Sequence, residues 1–192
     1  MTLVVIVTIV VLAIFSPILV SAIILFPYIR VGVARARVLL RLKSVAQERG
    51  YIFRPLRRFP FLSLNTSRGY DFLLIGKQKI LAVKLWSAVS VQCTALIKRD
   101  RTLLERTVVP EPIAAGDKQR RTVRIKKRRF PMLERNFPAQ SKRPVETVIL
   151  YCPKYAATYV QSENGGKNVK LELGTKLFGA TLCDENTIYR FL

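Results

Sequence analysis

The chain has 192 residues, 50% of them hydrophobic, with 33 Lys and Arg against 12 Asp and Glu and a formal net charge of +21. It contains no histidine, which excludes Ser-His-Asp and Cys-His catalysis and any zinc site built on imidazole. The cysteines are Cys93, Cys152 and Cys183, at no metal-ligand or redox spacing and with one necessarily unpaired, so they read as reduced thiols of a cytosolic compartment.

The first element is an almost unbroken apolar run over residues 3–26. As a helix it spans roughly 36 Å, enough to cross a hydrocarbon core about 30 Å thick. A cleaved secretory signal is the rival reading. It requires a basic leading segment, and here only Met1 and Thr2 precede the run, while apolar residues continue past the Val20-Ser21-Ala22 triplet through Phe26. Residues 1–29 are therefore expected to be an uncleaved, single-pass transmembrane anchor. No Lys or Arg lies before the span, whereas Arg30, Arg35, Arg37, Arg41 and Lys43 follow it closely, so the N-terminus is expected outside the cell membrane and the remainder in the cytoplasm. Pro17 predicts a kink, and Tyr28 an aromatic anchor at the headgroups.

Residues 30–49 fit a basic juxtamembrane amphipathic helix, with Val33, Val38, Leu40, Leu42 and Val45 as its apolar positions and Gly50 as its stop. Tyr51 to Phe53 reads as a strand, followed by an irregular stretch holding Arg54, Pro55, Arg57, Arg58 and Pro60 and by a polar loop over residues 65–69. The clearest local pattern covers residues 70–86. There, two β-rich runs flank the turn Gly76-Lys77-Gln78-Lys79 and predict a hairpin. Strand alternation on its second arm separates Ala82, Lys84 and Trp86 from Leu81, Val83 and Leu85, so that Asp71 and Lys84 are able to pair across the sheet.

Further strands are expected over residues 89–97 and 103–109. Residues 118–129 then place eight cations, Lys118, Arg120, Arg121, Arg124, Lys126, Lys127, Arg128 and Arg129, in twelve positions. Interleaved Thr122, Val123 and Ile125 allow either an edge strand or a mobile loop. A helical turn is expected within residues 130–137, a buried strand at 145–152, a final strand pair at 169–173 and 177–182, and a short finish at 188–192. The expected class is thus α/β (α+β), with an N-terminal transmembrane helix and a small cytosolic domain, residues 50–192, built on a mixed sheet.

A helix followed by a strand hairpin with Asp71 at its opening resembles the restriction-endonuclease-like, or PD-(D/E)XK, superfamily, over residues 35–97. The resemblance implies that fold for the domain. In active members of the superfamily, an acid at the hairpin opening and an acid-x-Lys triplet about thirteen residues on hold a divalent metal that activates water, often joined by an acid of the preceding helix. Asp71 matches the first acid and Glu48 stands where the helix acid would. The triplet position reads Lys84-Leu85-Trp86, and an ammonium there repels a cation. The resemblance thus implies the fold and argues against the activity. The chain as a whole is also similar to uncharacterised membrane-anchored bacterial proteins with the pattern Ala82-Val83-Lys84-Leu85.

The expected function is binding or scaffolding of a polyanion, either anionic lipid or nucleic acid, without catalysis, cofactor or resident metal. Its candidate contacts are Arg35, Arg37, Arg41 and Lys43 in the helix and the eight cations of residues 118–129. The alternatives are a membrane-tethered, metal-dependent nuclease using Asp71, Glu48 and Lys84, and a subunit of a membrane complex with an acidic protein partner.

Overall fold

In the computed structural model, described over residues 2–58, 65, 69–88, 92–110, 121–131, 133, 143–162 and 167–192, one helix, α1 (Thr2–Glu48), runs through both the expected anchor and the expected amphipathic segment. Among the described residues no helix is long and apolar enough to cross a membrane. Most side chains of the 3–26 run lie outside that set.

The lower half of α1 buries Arg35, Val38, Leu39, Leu42 and Ala46, a set at helical spacing that forms one face. Val38, Leu39, Leu42 and Ala46 pack on Phe72, Leu74, Leu81, Val83, Leu85, Val148 and Leu150. Full burial of a Val or Leu side chain contributes about 1.5–3 kcal/mol, so this face is what attaches the helix to the domain. The expected apolar stripe needs correcting, because Val33 is 52% and Leu40 70% exposed, on the side away from the sheet. Gly50 ends the helix as expected. At φ 76 it adopts the left-handed conformation that turns the chain, and the Tyr51 N–H reaches back to the Ala46 carbonyl at 2.8 Å.

The strands that follow are β1 (Ile52–Pro55), β2 (Phe72–Ile75), β3 (Ile80–Trp86), β4 (Thr94–Ile97), β5 (Thr102–Pro110), β6 (Arg121–Arg129), β7 (Val145–Tyr151), β8 (Ala157–Val160), β9 (Val169–Lys170), β10 (Lys176–Leu177) and β11 (Ala180–Cys183). They form two mixed sheets rather than one: β1-β2-β3-β7-β11-β10 and β6-β5-β4-β8-β9. The predicted hairpin is β2–β3, with Phe72 opposite Val83 and Ile75 opposite Ile80. β3 is buried along its whole length, with β2 antiparallel on one side and β7 parallel on the other. This matches its near-continuous apolar sequence, which only Lys84 interrupts.

One parallel pair joins the sheets. β3 runs beside β7 in the first sheet, and their continuations β4 and β8 pair in parallel in the second. Between them the bonds Cys152 N–H to Trp86 O (2.8 Å), Ala88 N–H to Pro153 O (3.0 Å) and Ala156 N–H to Cys93 O (2.9 Å) carry the ladder through the bend.

Residues 121–129 settle as the edge strand β6, which pairs with β5 over nine positions. The strand expected from residue 89 begins at Thr94, with residues 89–91 outside the described set. The helical turn expected in 130–137 falls mostly outside it as well. β8, which no sequence pattern predicts, is only four residues long and is held by its distant partner β4. The expected final pair is divided differently: β9 joins β8 in the second sheet, and β10 and β11 form a hairpin in the first. Its two-residue turn, Phe178-Gly179, takes φ 51 and 83, the left-handed pair that such tight hairpins need. Phe178 is held in that conformation by packing on Phe130 and under the Arg101 guanidinium.

The chain ends in the short helix α2 (Glu185–Ile188), capped by Asp184. The Asp184 carboxylate accepts from the Thr187 N–H at 2.9 Å, the Thr187 hydroxyl at 2.7 Å and Lys154 Nζ at 3.1 Å. Burial opposes ionisation, but the bonds from Thr187 and Lys154 outweigh it and hold the carboxyl below its ordinary value. A carboxylate depressed by folding adds stability that is present above its unfolded value, near ~3.9, and is lost as pH falls through the folded value. Asp184→Ala should cost about 0.5–2 kcal/mol at pH 7. In urea titrations the gap from the parent protein should narrow below about pH 4.

Candidate functional site

Asp71 is fully buried at the mouth of the β2–β3 hairpin. Its backbone N–H bonds the Val83 carbonyl at 2.9 Å, extending the hairpin ladder by one residue and setting Asp71 beside Lys84. Lys84 Nζ lies 3.3 Å from Asp71 Oδ2 and Arg57 Nε lies 3.1 Å from Oδ1, and the Leu85 N–H donates to Oδ2 at 2.7 Å. Lys84, too, is fully buried. Burial pushes its ammonium below the ordinary value; the Asp71 charge opposes this, while Arg57 and Arg35 reinforce it.

Arg35 joins this cluster from α1. Its Nε donates to the Ser87 hydroxyl at 2.7 Å and its Nη2 to Asn65 Oδ1 at 2.7 Å. Asn65 in turn accepts from the Ser87 N–H at 2.9 Å and donates to the Ser87 carbonyl at 2.6 Å, and the Ser87 hydroxyl donates to the Cys152 carbonyl. Burial lowers the Arg35 pKa and Asp71 counteracts it. Arg35 is thus a structural cation that ties α1 to the end of β3. At 2% exposure it is not part of a polyanion-facing surface, which corrects the expectation from sequence.

The other helix cations do face solvent: Arg37, Arg41 and Lys43 are exposed, with Arg41 paired to Glu185 at 3.0 Å. Glu48 is also exposed and accepts from the Ser44 hydroxyl at 3.1 Å. The structure therefore brings Asp71 and Lys84 together but surrounds the carboxylate with cations and an amide. Among the described residues, no three His, Cys, Asp or Glu side chains gather as metal ligands would.

A second buried polar chain crosses the other core and was missed from sequence. Trp86 Nε1 donates to the Tyr155 hydroxyl at 2.9 Å, and that hydroxyl donates to Glu105 Oε1 at 2.5 Å. Arg128 Nε closes the chain at 2.8 Å from Glu105 Oε2. Burial, with the Glu105 charge, pushes the Tyr155 phenol well above its ordinary value and keeps it a donor. Glu105 lies within a β-rich run, so its burial shows only once the register puts it opposite Lys126 and beside Arg128.

That register also divides the basic run. Lys118 and Arg120 lie outside the described residues, as does the side chain of Arg121. Arg124, Lys126 and Arg128 share the face that carries Glu105, whereas Lys127 and Arg129 share the opposite face with Val123 and Ile125. A separate concavity of about 420 Å³ opens beside the first sheet, where Tyr70, Glu146, Thr147 and Lys176 meet. Tyr70 and Thr147 bond through their hydroxyls across it at 3.2 Å, and Lys79 pairs with Glu146 at 3.3 Å. In comparisons with known proteins, no family model, no curated protein and no solved structure matches the chain.

Proposed function

We propose that this is a single-pass membrane protein, anchored by residues 3–26 with its C-terminal domain on the cytoplasmic side, whose basic domain binds or scaffolds a polyanion without cleaving it. The observation that carries the non-catalytic reading is the environment of Asp71. Arg57 and Lys84 stand 3.1 and 3.3 Å from its carboxylate, where a catalytic divalent cation would have to sit. The net charge of +21 and the exposed strand β6 support polyanion binding.

A second reading, a membrane-tethered nuclease of restriction-endonuclease-like fold, rests on the helix and hairpin with Asp71 at the opening. Its helix acid fits poorly, since Glu48 is an exposed residue bonded to Ser44. The test uses the full chain in neutral detergent with magnesium, titrated at rising salt with phosphatidylserine vesicles and with mixed DNA and RNA. Salt-sensitive binding of intact polyanion is the expected result. Magnesium-dependent cutting that Asp71→Asn abolishes would replace this reading with the nuclease.

A further inference from the structure

We infer that the outward face of the second sheet is a binding platform for single-stranded nucleic acid; this rests on the polyanion-binding reading and gives it a place and a ligand. The register fixes which side chains share that face. Ala95, Ile97, Leu103 and Glu105 point into the core, so Leu96, Leu104 and Arg106 point out. Across the strands, Tyr159 lies beside Leu96, Leu96 beside Leu104, Leu104 beside Lys127, and Lys170 beside Tyr159. This row crosses all five strands and spans about 19 Å at 4.8 Å per step.

Leu96, Leu104 and Tyr159 are half-buried and form an apolar floor, which Ile125, 64% exposed, extends onto the edge strand. Around it stand Arg106, Lys127, Arg129 and Lys170. Among the described residues, no acid occupies an outward position on the five strands. Two acids lie just beyond the strand ends: Asp100 in the β4–β5 turn, tied to the Thr102 N–H at 2.9 Å and the Thr102 hydroxyl at 2.8 Å, and the exposed Glu172, two residues past Lys170.

A recessed floor rimmed by long cations is the arrangement that takes unstacked bases on the sheet and phosphates at its margin. A duplex keeps its base faces stacked inside and would leave the floor uncovered. An anionic bilayer is the less favoured occupant, because the central apolar side chains lie below the reach of the arginines and lysines around them.

The test compares two variants of the full chain in neutral detergent that remove equal charge from the same hairpin: Arg106→Gln/Lys127→Gln on the outward face and Arg124→Gln/Lys126→Gln on the opposite one. The probes are a labelled dT12 oligonucleotide, a duplex of mixed sequence and phosphatidylserine vesicles. The outward pair should weaken dT12 binding at least tenfold and flatten the log affinity against log salt slope by about 1.4, at about 0.7 for each phosphate left without its cation. The opposite pair should change it less than threefold. Tyr159→Leu, which keeps an apolar floor, should weaken dT12 binding about tenfold with the salt slope unchanged. Equal losses in both charge variants, or a preference for duplex or vesicles, would overturn the platform and leave the polyanion reading standing. Failure of the parent chain to bind any of the three probes would remove both.

Discussion

Asp71→Ala should destabilise the protein by about 3–5 kcal/mol, the cost of breaking a buried ion pair while its partner stays buried. Lys84 is fully buried and would be left without the carboxylate that offsets its desolvation. Arg57, 36% exposed, can turn to water, but Lys84 cannot. The Leu85 N–H would also lose its acceptor. The double variant Asp71→Leu/Lys84→Met should recover most of the loss, since replacing both members of a buried pair with apolar groups is often neutral or better. Urea unfolding measures both. An unchanged midpoint in Asp71→Ala would show that the cluster does not support the fold and would return Asp71 to candidacy as a functional carboxylate.

Trp86→Ala is the second large effect, also about 3–5 kcal/mol. Trp86 is the only tryptophan in the chain and is 1% exposed at the end of β3. Its removal opens a cavity among Ala88, Ile149 and Tyr151 and leaves the Tyr155 hydroxyl without the indole donor. Trp86→Phe separates the two losses: it keeps most of the volume and should cost about 1–2 kcal/mol for the missing hydrogen bond and residual void. Because no other indole is present, the emission of the parent protein reports this core alone. It should be blue-shifted when folded and move to the red in a single step with urea. A red-shifted emission in the native state would contradict the burial of Trp86.

The sequence made the local elements readable where one pattern dominated. The hairpin over residues 70–86 showed itself through β-rich runs on either side of a polar turn, and Gly50 through its position after the last helical residue. The salt bridge between Asp71 and Lys84 followed from strand alternation alone. What stayed hidden depended on long-range pairing. β8 has four residues and no local signature beyond them, and Glu105 looked like any charge in a strand until β6 was laid against β5. The buried face of α1 was misjudged because Arg35 looked like one more exposed cation. Ser87 and Asn65 at the end of β3 accept its hydrogen bonds, and the Asp71 charge favours it as well, a setting that the local sequence around Arg35 does not display. The division of the basic run into two faces was likewise set by register rather than by composition.

The parallel pair that carries one sheet into the other sets an order of assembly during synthesis. β3 leaves the ribosome early, yet its partner β7 begins 65 positions after β3 does, at Val145 against Ile80. Until that partner arrives, one edge of a strand reading Ile80-Leu81-Ala82-Val83-Lys84-Leu85-Trp86 has nothing to pair with. β4 waits in the same way for β8. The nascent chain therefore carries two open, largely apolar edges, that of β3 until residue 151 is free and that of β4 until residue 160 is. Closure over such separations is slow and exposes those edges to association with other chains. A fragment ending before β7 should therefore aggregate or be degraded rather than persist as a smaller folded unit.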